Sequence, residues 1–347
     1  MTTRANDQAV PPSEDWRIYR GSGQRYDDID RLPPPPKWRR FQDRGTGGTP
    51  LVDQSLPMDD AGSQRALGYQ VGDETIEMVN AALYLRRPLL VTGRPGTGKS
   101  TLAYSIAYEL LLGPVLYWPI TSRSRLEDGL YRYDAIGRLQ ESNLARSAND
   151  TTAPPDVGRY LTLGPLGTAL LPWPRPRVLL IDELDKSDID LPNDLLNVFE
   201  EGRFEIPELI RLPDDQSDVQ VMTADGMDRV PIRRGRVQCS AFPVIVVTSN
   251  GEREFPPAFL RRCLRLDIRP PDARTLTRIV ANMLGEETAE RSQDLINQFL
   301  DQRANGDVIT TDQLLNAVYL VASGILPPES TRQRLRGNLI RDLSATT

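Results

Sequence analysis

Histidine is absent from all 347 residues, and cysteine occurs twice, as Cys239 and Cys263. The first absence excludes Ser-His-Asp hydrolysis, Cys-His proteolysis and histidine-ligated zinc. The second leaves no disulfide framework and fits a reducing compartment, with both thiols expected as small buried hydrophobes. No run approaches the ~18 apolar residues of a membrane span. No signal-peptide core stands near the N-terminus, so a soluble, cytoplasmic protein with no membrane partner is expected. Positive charge is also short, with 42 Lys and Arg against 48 Asp and Glu and a net charge of −6. A sequence-independent grip on nucleic acid needs a basic surface, so nucleic acid is not an expected partner. The remaining composition, 39% hydrophobic and 26% charged, is that of a globular protein with room for about two domains.

Residues 1–65 differ from the rest of the chain. They hold Pro11-Pro12, Pro33 to Pro36 and Gly45-Thr46-Gly47-Gly48, with few aliphatic side chains. Such a stretch buries too little apolar surface to offset its ordering entropy. Yet Trp16, Ile18, Tyr19, Trp38 and Phe41 lie in it, the last two flanking Arg39 and Arg40. Two readings stand: an extended arm that docks on a partner or neighbouring subunit, or plain disorder.

From Gly68 onward, helical and strand patterns alternate. Asp73 is placed to cap a helix bearing Ile76, Val79 and Leu83. Apolar runs at 88–92, 115–118, 177–181 and 243–248 read as buried strands. A helix with Leu102, Ile106 and Leu110 stops at Gly113, and another, from Asp190 through Phe199, stops at Gly202. Residues 203–240 read as hairpin insertions, and from Asp272 the chain turns helical. Strands alternating with helices, then helices alone, imply an α/β domain over 66–270 and a small α-helical domain over 271–347.

The chemistry begins at residues 93–101, Gly-Arg-Pro-Gly-Thr-Gly-Lys-Ser-Thr, directly after an apolar strand. This is a phosphate loop, G-x-x-x-x-G-K-[ST], in its strand–turn–helix setting. Gly93, Gly96 and Gly98 permit backbone angles that turn N–H groups onto phosphate oxygens. Pro95, Thr97 and Thr101 complete the loop and the first helical turn, whose positive end faces the same anion. Lys99 supplies a point charge for the β- and γ-phosphates, and the Ser100 hydroxyl can ligate Mg²⁺.

Hydrolysis needs an ion and an oriented water as well. Asp182, 83 residues after Lys99, ends a buried strand where it can hold Mg²⁺ through water, and Glu183 can polarise the attacking water. Asn250, ending a later strand, can reach the γ-phosphate or that water. Arg261 and Arg262 close a short helix; arginine stabilises charge on a transferring phosphoryl group. Asp185-Lys186-Ser187-Asp188 lacks the Asn of a guanine-reading Asn-Lys-x-Asp and follows the Asp182 strand directly, so ATP is expected rather than GTP.

The chain resembles an AAA+ ATPase, and within that superfamily the MoxR-type group. The resemblance rests on GRPGTGKST (93–101), LLIDELDKSD (179–188), VVTSN (246–250) and FPPAFLRRC (255–263). It implies a P-loop NTPase parallel sheet flanked by helices, a small α-helical lid domain, and ATP with Mg²⁺ at the interfaces of a homo-oligomeric, usually hexameric, ring. It makes Lys99, Ser100, Asp182 and Glu183 the nucleotide and Mg²⁺ machinery and Asn250 a sensor. Arg261 or Arg262 becomes a finger reaching the neighbour's γ-phosphate. The implied function is chaperone-like remodelling or activation of a protein client, often a von Willebrand factor A-domain protein; Tyr131 and Tyr133 could then grip a client in the pore, with ordinary packing of the two tyrosines the favoured alternative. One departure stands out: where a sensor arginine starts a lid helix, this chain has Thr310-Thr311-Asp312-Gln313, so either Arg332, Arg334 or Arg336 substitutes or lid closure senses ATP weakly. That departure and the aromatic arm support an alternative, an ATP-gated switch or scaffold that assembles a complex with little turnover. A DNA-directed motor is disfavoured by the acidic balance.

Overall fold

The computed structural model describes residues 16–41, 58, 60–147, 156–226, 229–305, 307 and 309–322. Helices α1 (Asp60–Leu67) and α2 (Asp73–Leu85) lead into strand β1 (Leu89–Thr92). α2 buries Ile76, Val79 and Leu83 at helical spacing. Its N-cap is Gly72, so Asp73 is the first helical residue rather than the cap; its charge still faces the helix's positive end. Helix α3 (Thr101–Glu109) and strand β2 (Leu116–Pro119) follow. The chain then runs through α4 (Leu126–Leu130), β3 (Tyr131–Tyr133), α5 (Ala135–Ser147), β4 (Leu161–Leu163) and α6 (Pro165–Ala169) to β5 (Val178–Asp182). Helix α7 (Leu191–Glu201) closes on Gly202 in the left-handed conformation, φ 62°.

The expected hairpins form strands β6 (Arg203–Glu205), β7 (Asp218–Val221), β8 (Val230–Arg233) and β9 (Arg236–Gln238), with α8 (Pro207–Ile210) between the first two. They make an antiparallel sheet ordered β6-β9-β8-β7. Strand β10 (Val244–Ser249), helix α9 (Pro257–Leu260) and strand β11 (Leu264–Asp267) complete the α/β domain.

The central sheet has five strands in the order β11-β1-β10-β5-β2, and every neighbouring pair is parallel. Because side chains alternate along a strand, its apolar runs feed two cores. Val178, Leu180 and Val246 face the core made with α2 and α3. Leu179, Ile181, Ile245 and Val247 face the core made with α6 and α7. Both free cysteines are buried.

The lid domain comprises α10 (Ala273–Leu284), α11 (Glu286–Arg291), α12 (Gln293–Ala304) and α13 (Thr311–Ala322). It has its own core around Leu276, Val280, Ile296, Phe299, Leu314 and Val318. Asp272 caps α10, accepting from Thr275 N at 2.8 Å. Among the described residues no helix is long and apolar enough to cross a membrane.

The N-terminal segment departs from expectation. It is irregular, with short 3₁₀ turns at Ile29–Arg31 and Lys37–Arg39, but residues 16–41 dock on their own chain. Ile18 and Tyr19 are fully buried among α2 and α3. Asn80 of α2 accepts from Ile18 N at 2.7 Å and Tyr19 N at 3.0 Å, and donates to Tyr19 O at 2.7 Å. Tyr19 OH meets Ser105 Oγ at 2.7 Å. The buried Glu109 carboxylate accepts from the N–H groups of Arg20, Gly21 and Ser22. Further along, Arg39 donates to Phe199 O at 2.9 Å and Arg86 O at 2.6 Å. Low average hydrophobicity concealed this, because a few buried side chains and borrowed hydrogen-bond partners anchor the segment. The remainder of 1–65, apart from Met58 and the start of α1, lies outside the described residues.

Candidate nucleotide site

Parallel strands deliver their carboxyl ends to one edge, so β1, β5 and β10 place residues 93–101, 182–183 and 250 side by side. In the loop after β1, Gly93, Gly96 and Gly98 have φ of 147°, 73° and 87°. Close packing adds to the demand for glycine. A Cβ on Gly93 would stand 2.5 Å from Ile268 O, and one on Gly96 2.5 Å from Thr310 Cβ. Thr97 Oγ1 donates to Arg94 O at 2.9 Å, tightening the turn over Pro95, and Thr101 begins α3.

Lys99 is buried and donates to Gly93 O at 2.8 Å, Arg94 O at 2.9 Å and Asn250 Oδ1 at 2.8 Å. Burial draws its ammonium below the usual lysine value, against the opposing pull of Asp185, Asp182, Glu183 and Asp267. Ser100 Oγ donates to Asp182 Oδ1 at 2.6 Å. The same oxygen accepts from Thr248 Oγ1 at 2.6 Å, while Tyr117 OH reaches Asp182 Oδ2 at 3.3 Å. Glu183 adopts a left-handed backbone, φ 61° and ψ 48°, and its N–H donates to Thr248 Oγ1 at 2.8 Å. Its carboxylate is held on both sides, by Asn250 Nδ2 at 3.2 Å and by Lys186 Nζ at 2.7 Å.

Residues 95–101, Asp182, Glu183, Thr248 and Asn250 line a cavity of about 960 Å³ between the α/β domain and the lid helices. Its far wall is Tyr69, Gln70 and Val71 together with Arg278, Ile279 and Met283 of α10. The lid touches the loop directly, Thr311 Oγ1 donating to Gly96 O at 2.8 Å. Residues 310–313 thus approach the loop with hydroxyls and no cation. Among the described residues Arg278 is the lid cation lining the cavity, and Arg332, Arg334 and Arg336 lie outside them.

Glu183, Asn250, Lys99, Ser100, Thr101 and Asp182 converge on this site; Arg261 and Arg262 do not line it. Arg262 is paired with Glu200 at 2.8 Å, and Arg261 is exposed, its carbonyl accepting from Arg87 at 3.4 Å. Tyr131 and Tyr133 are half-buried against the core, with Tyr131 OH donating to Glu208 at 3.0 Å, so packing accounts for them. Thr248, Tyr117, Asp185 and Lys186 were not foreseen as neighbours of the site. Thr248 had a signal, standing two residues before Asn250 at the end of the same strand.

The family model of the AAA domain (dynein-related subfamily) matches residues 88–263, from β1 to the end of the arginine pair. No curated protein matches the chain. Among solved structures, domain III of the replication initiation protein DnaA from Thermotoga maritima is similar at 17% identity and a TM-score of 0.41. That alignment covers 82% of this chain and 100% of that one.

Proposed function

This chain belongs to the AAA domain family, in its dynein-related subfamily, and on that premise we propose an ATPase of the MoxR type that uses ATP to remodel or activate a protein client. The observation that carries the reading is the convergence of Lys99, Asp182, Glu183 and Asn250, from three parallel strands, on one cavity of about 960 Å³. The cavity is of a size to bury a nucleotide. Loop N–H groups and Lys99 bind the β- and γ-phosphates, releasing Lys99 from the carbonyls it now contacts. Glu183, with Asn250 orienting its carboxylate, accepts hydrogen from the attacking water.

The donors fit Mg²⁺. Ser100 and Asp182 offer hard oxygens 2.6 Å apart. Bound there by Ser100 directly and Asp182 through water, Mg²⁺ would neutralise charge on the phosphates.

Arg261, exposed and outside the cavity, suits a finger given to a neighbouring subunit, and Arg262 its support. The client of such a ring is a protein, for which the MoxR-type resemblance points to a von Willebrand factor A domain. The ATP-gated switch is the second reading. It is favoured by the cation-free lid start at 310–313 and by the engagement of both Glu183 oxygens.

ATP hydrolysis per protomer, measured across a wide range of protein concentration with and without Mg²⁺, tests the proposal. A steep rise with concentration is expected, because subunits complete one another's sites. Nucleotide binding without hydrolysis at any concentration would favour the switch, and no nucleotide binding would end both readings.

A further inference from the structure

Asp185 is 3% exposed, and a buried carboxylate is costly unless hydrogen bonds compensate it. Its compensation falls on one oxygen, Oδ2, while Oδ1 is buried with no hydrogen-bond partner. After β5 the left-handed Glu183 turns the chain into a 3₁₀ turn, Leu184–Lys186, which sinks Leu184 into the core and brings Asp185 under the end of β10. There Asp185 Oδ2 accepts from Asn250 N at 2.9 Å and from Glu252 N at 3.0 Å. The N–H between them, on Gly251 with φ 79°, donates to Ser249 Oγ at 3.0 Å. Three successive N–H groups are therefore fixed by side chains.

What this fixes is the Asn250 amide. Its oxygen accepts from Lys99 at 2.8 Å and its nitrogen donates to Glu183 at 3.2 Å. An amide that serves a cation and a carboxylate at once tolerates neither a flip nor a shift of its backbone. Misplacement of a reacting or orienting group by ~1 Å can cost ~10²-fold in rate. We infer that Asp185 is the positioning residue for Asn250, setting the amide between Lys99 and Glu183 by holding the turn at residues 250–252. The inference rests on the ATPase reading of this site.

The test compares wild type, Asp185→Ala, Asp185→Asn, Asn250→Ala and the Asp185→Ala/Asn250→Ala pair. It measures kcat, KM, fluorescent ATP binding and thermal unfolding. Asp185→Ala is expected to lower kcat at least tenfold while ATP affinity and KM stay within about threefold. Asp185→Asn, which keeps an acceptor oxygen, should recover part of that loss. The double variant should be no slower than Asn250→Ala by more than about threefold, because both changes remove one device. A folded Asp185→Ala protein with kcat within twofold of wild type overturns the inference, as do losses that multiply in the double variant. If Asp185→Ala does not fold, Asp185→Ser, whose shorter side chain withdraws the acceptor from both N–H groups, decides: a kcat unchanged from wild type overturns the inference, and a selective fall in kcat supports it. A wild-type protein without Mg²⁺-dependent hydrolysis sinks the ATPase reading and the inference with it, an outcome distinct from an active wild type with unaffected variants.

Discussion

Replacing Asn80 with Ala removes the main polar anchor of the N-terminal segment. The side chain serves three backbone groups of that segment, Ile18 N, Tyr19 N and Tyr19 O, all in the interior. Left in place without partners, they would cost about 1–3 kcal/mol each. The segment has a second course, to undock and hydrate them, and then the burial of Ile18 and Tyr19 is lost at roughly 1.5–3 kcal/mol per side chain. The protein takes the cheaper course, so destabilisation of about 3–6 kcal/mol is expected. That corresponds to a fall in the unfolding midpoint on the order of 10 °C. Urea unfolding measures the energy, and trypsin cleavage after Arg20 and Arg25 under native conditions reports undocking. A loss under about 1 kcal/mol with unchanged protection would refute the claim that residues 16–41 are part of the folded core.

Lys99→Ala removes a cation whose phosphate bonds are charge-assisted, at about 2–3 kcal/mol; ATP affinity is expected to fall roughly 30- to 150-fold, and unchanged binding in a fluorescence titration would contradict the role given to it. Burial pushes both thiols, Cys239 and Cys263, from 9.0 up to about 12. The unfolded chain ionises first, so stability is whole below about pH 9 and declines as pH rises towards 12. Denaturant midpoints at successive pH values check this, and rapid labelling of the native thiols at pH near 8 would speak against it. Arg261→Ala and Lys99→Ala proteins, each inactive alone, should regain hydrolysis when mixed, one subunit binding ATP and its neighbour lending the arginine. Mixtures as inactive as their components would argue that Arg261 does not act across an interface.

The layers of the fold were legible where chemistry is periodic. The runs at 88–92, 177–181 and 243–248 are β1, β5 and β10, the strands covered on both faces by helices. β11 escaped notice because Leu264-Arg265-Leu266-Asp267 is a short edge strand, only partly buried. The loop and the carboxylates at 182–183 were readable because their spacing serves one chemistry. Asp185 and Thr248 were not, since their part depends on which strand lies beside which, and β10 follows β5 by more than sixty residues yet pairs with it directly. The docking of residues 16–41 is hidden in the sequence for a related reason. Their partners, Asn80, Ser105 and Glu109, are polar side chains on distant helices, and a local count of apolar residues gives them no weight.

The central claim is that this cavity hydrolyses ATP through Glu183. Its most direct test is a paired measurement on wild type and Glu183→Gln, of ATP binding at equilibrium and of phosphate release with Mg²⁺. Both proteins are expected to bind ATP with affinities within a few-fold of each other, and Glu183→Gln to release phosphate at least a hundredfold more slowly. Equal turnover in the two proteins would contradict that claim.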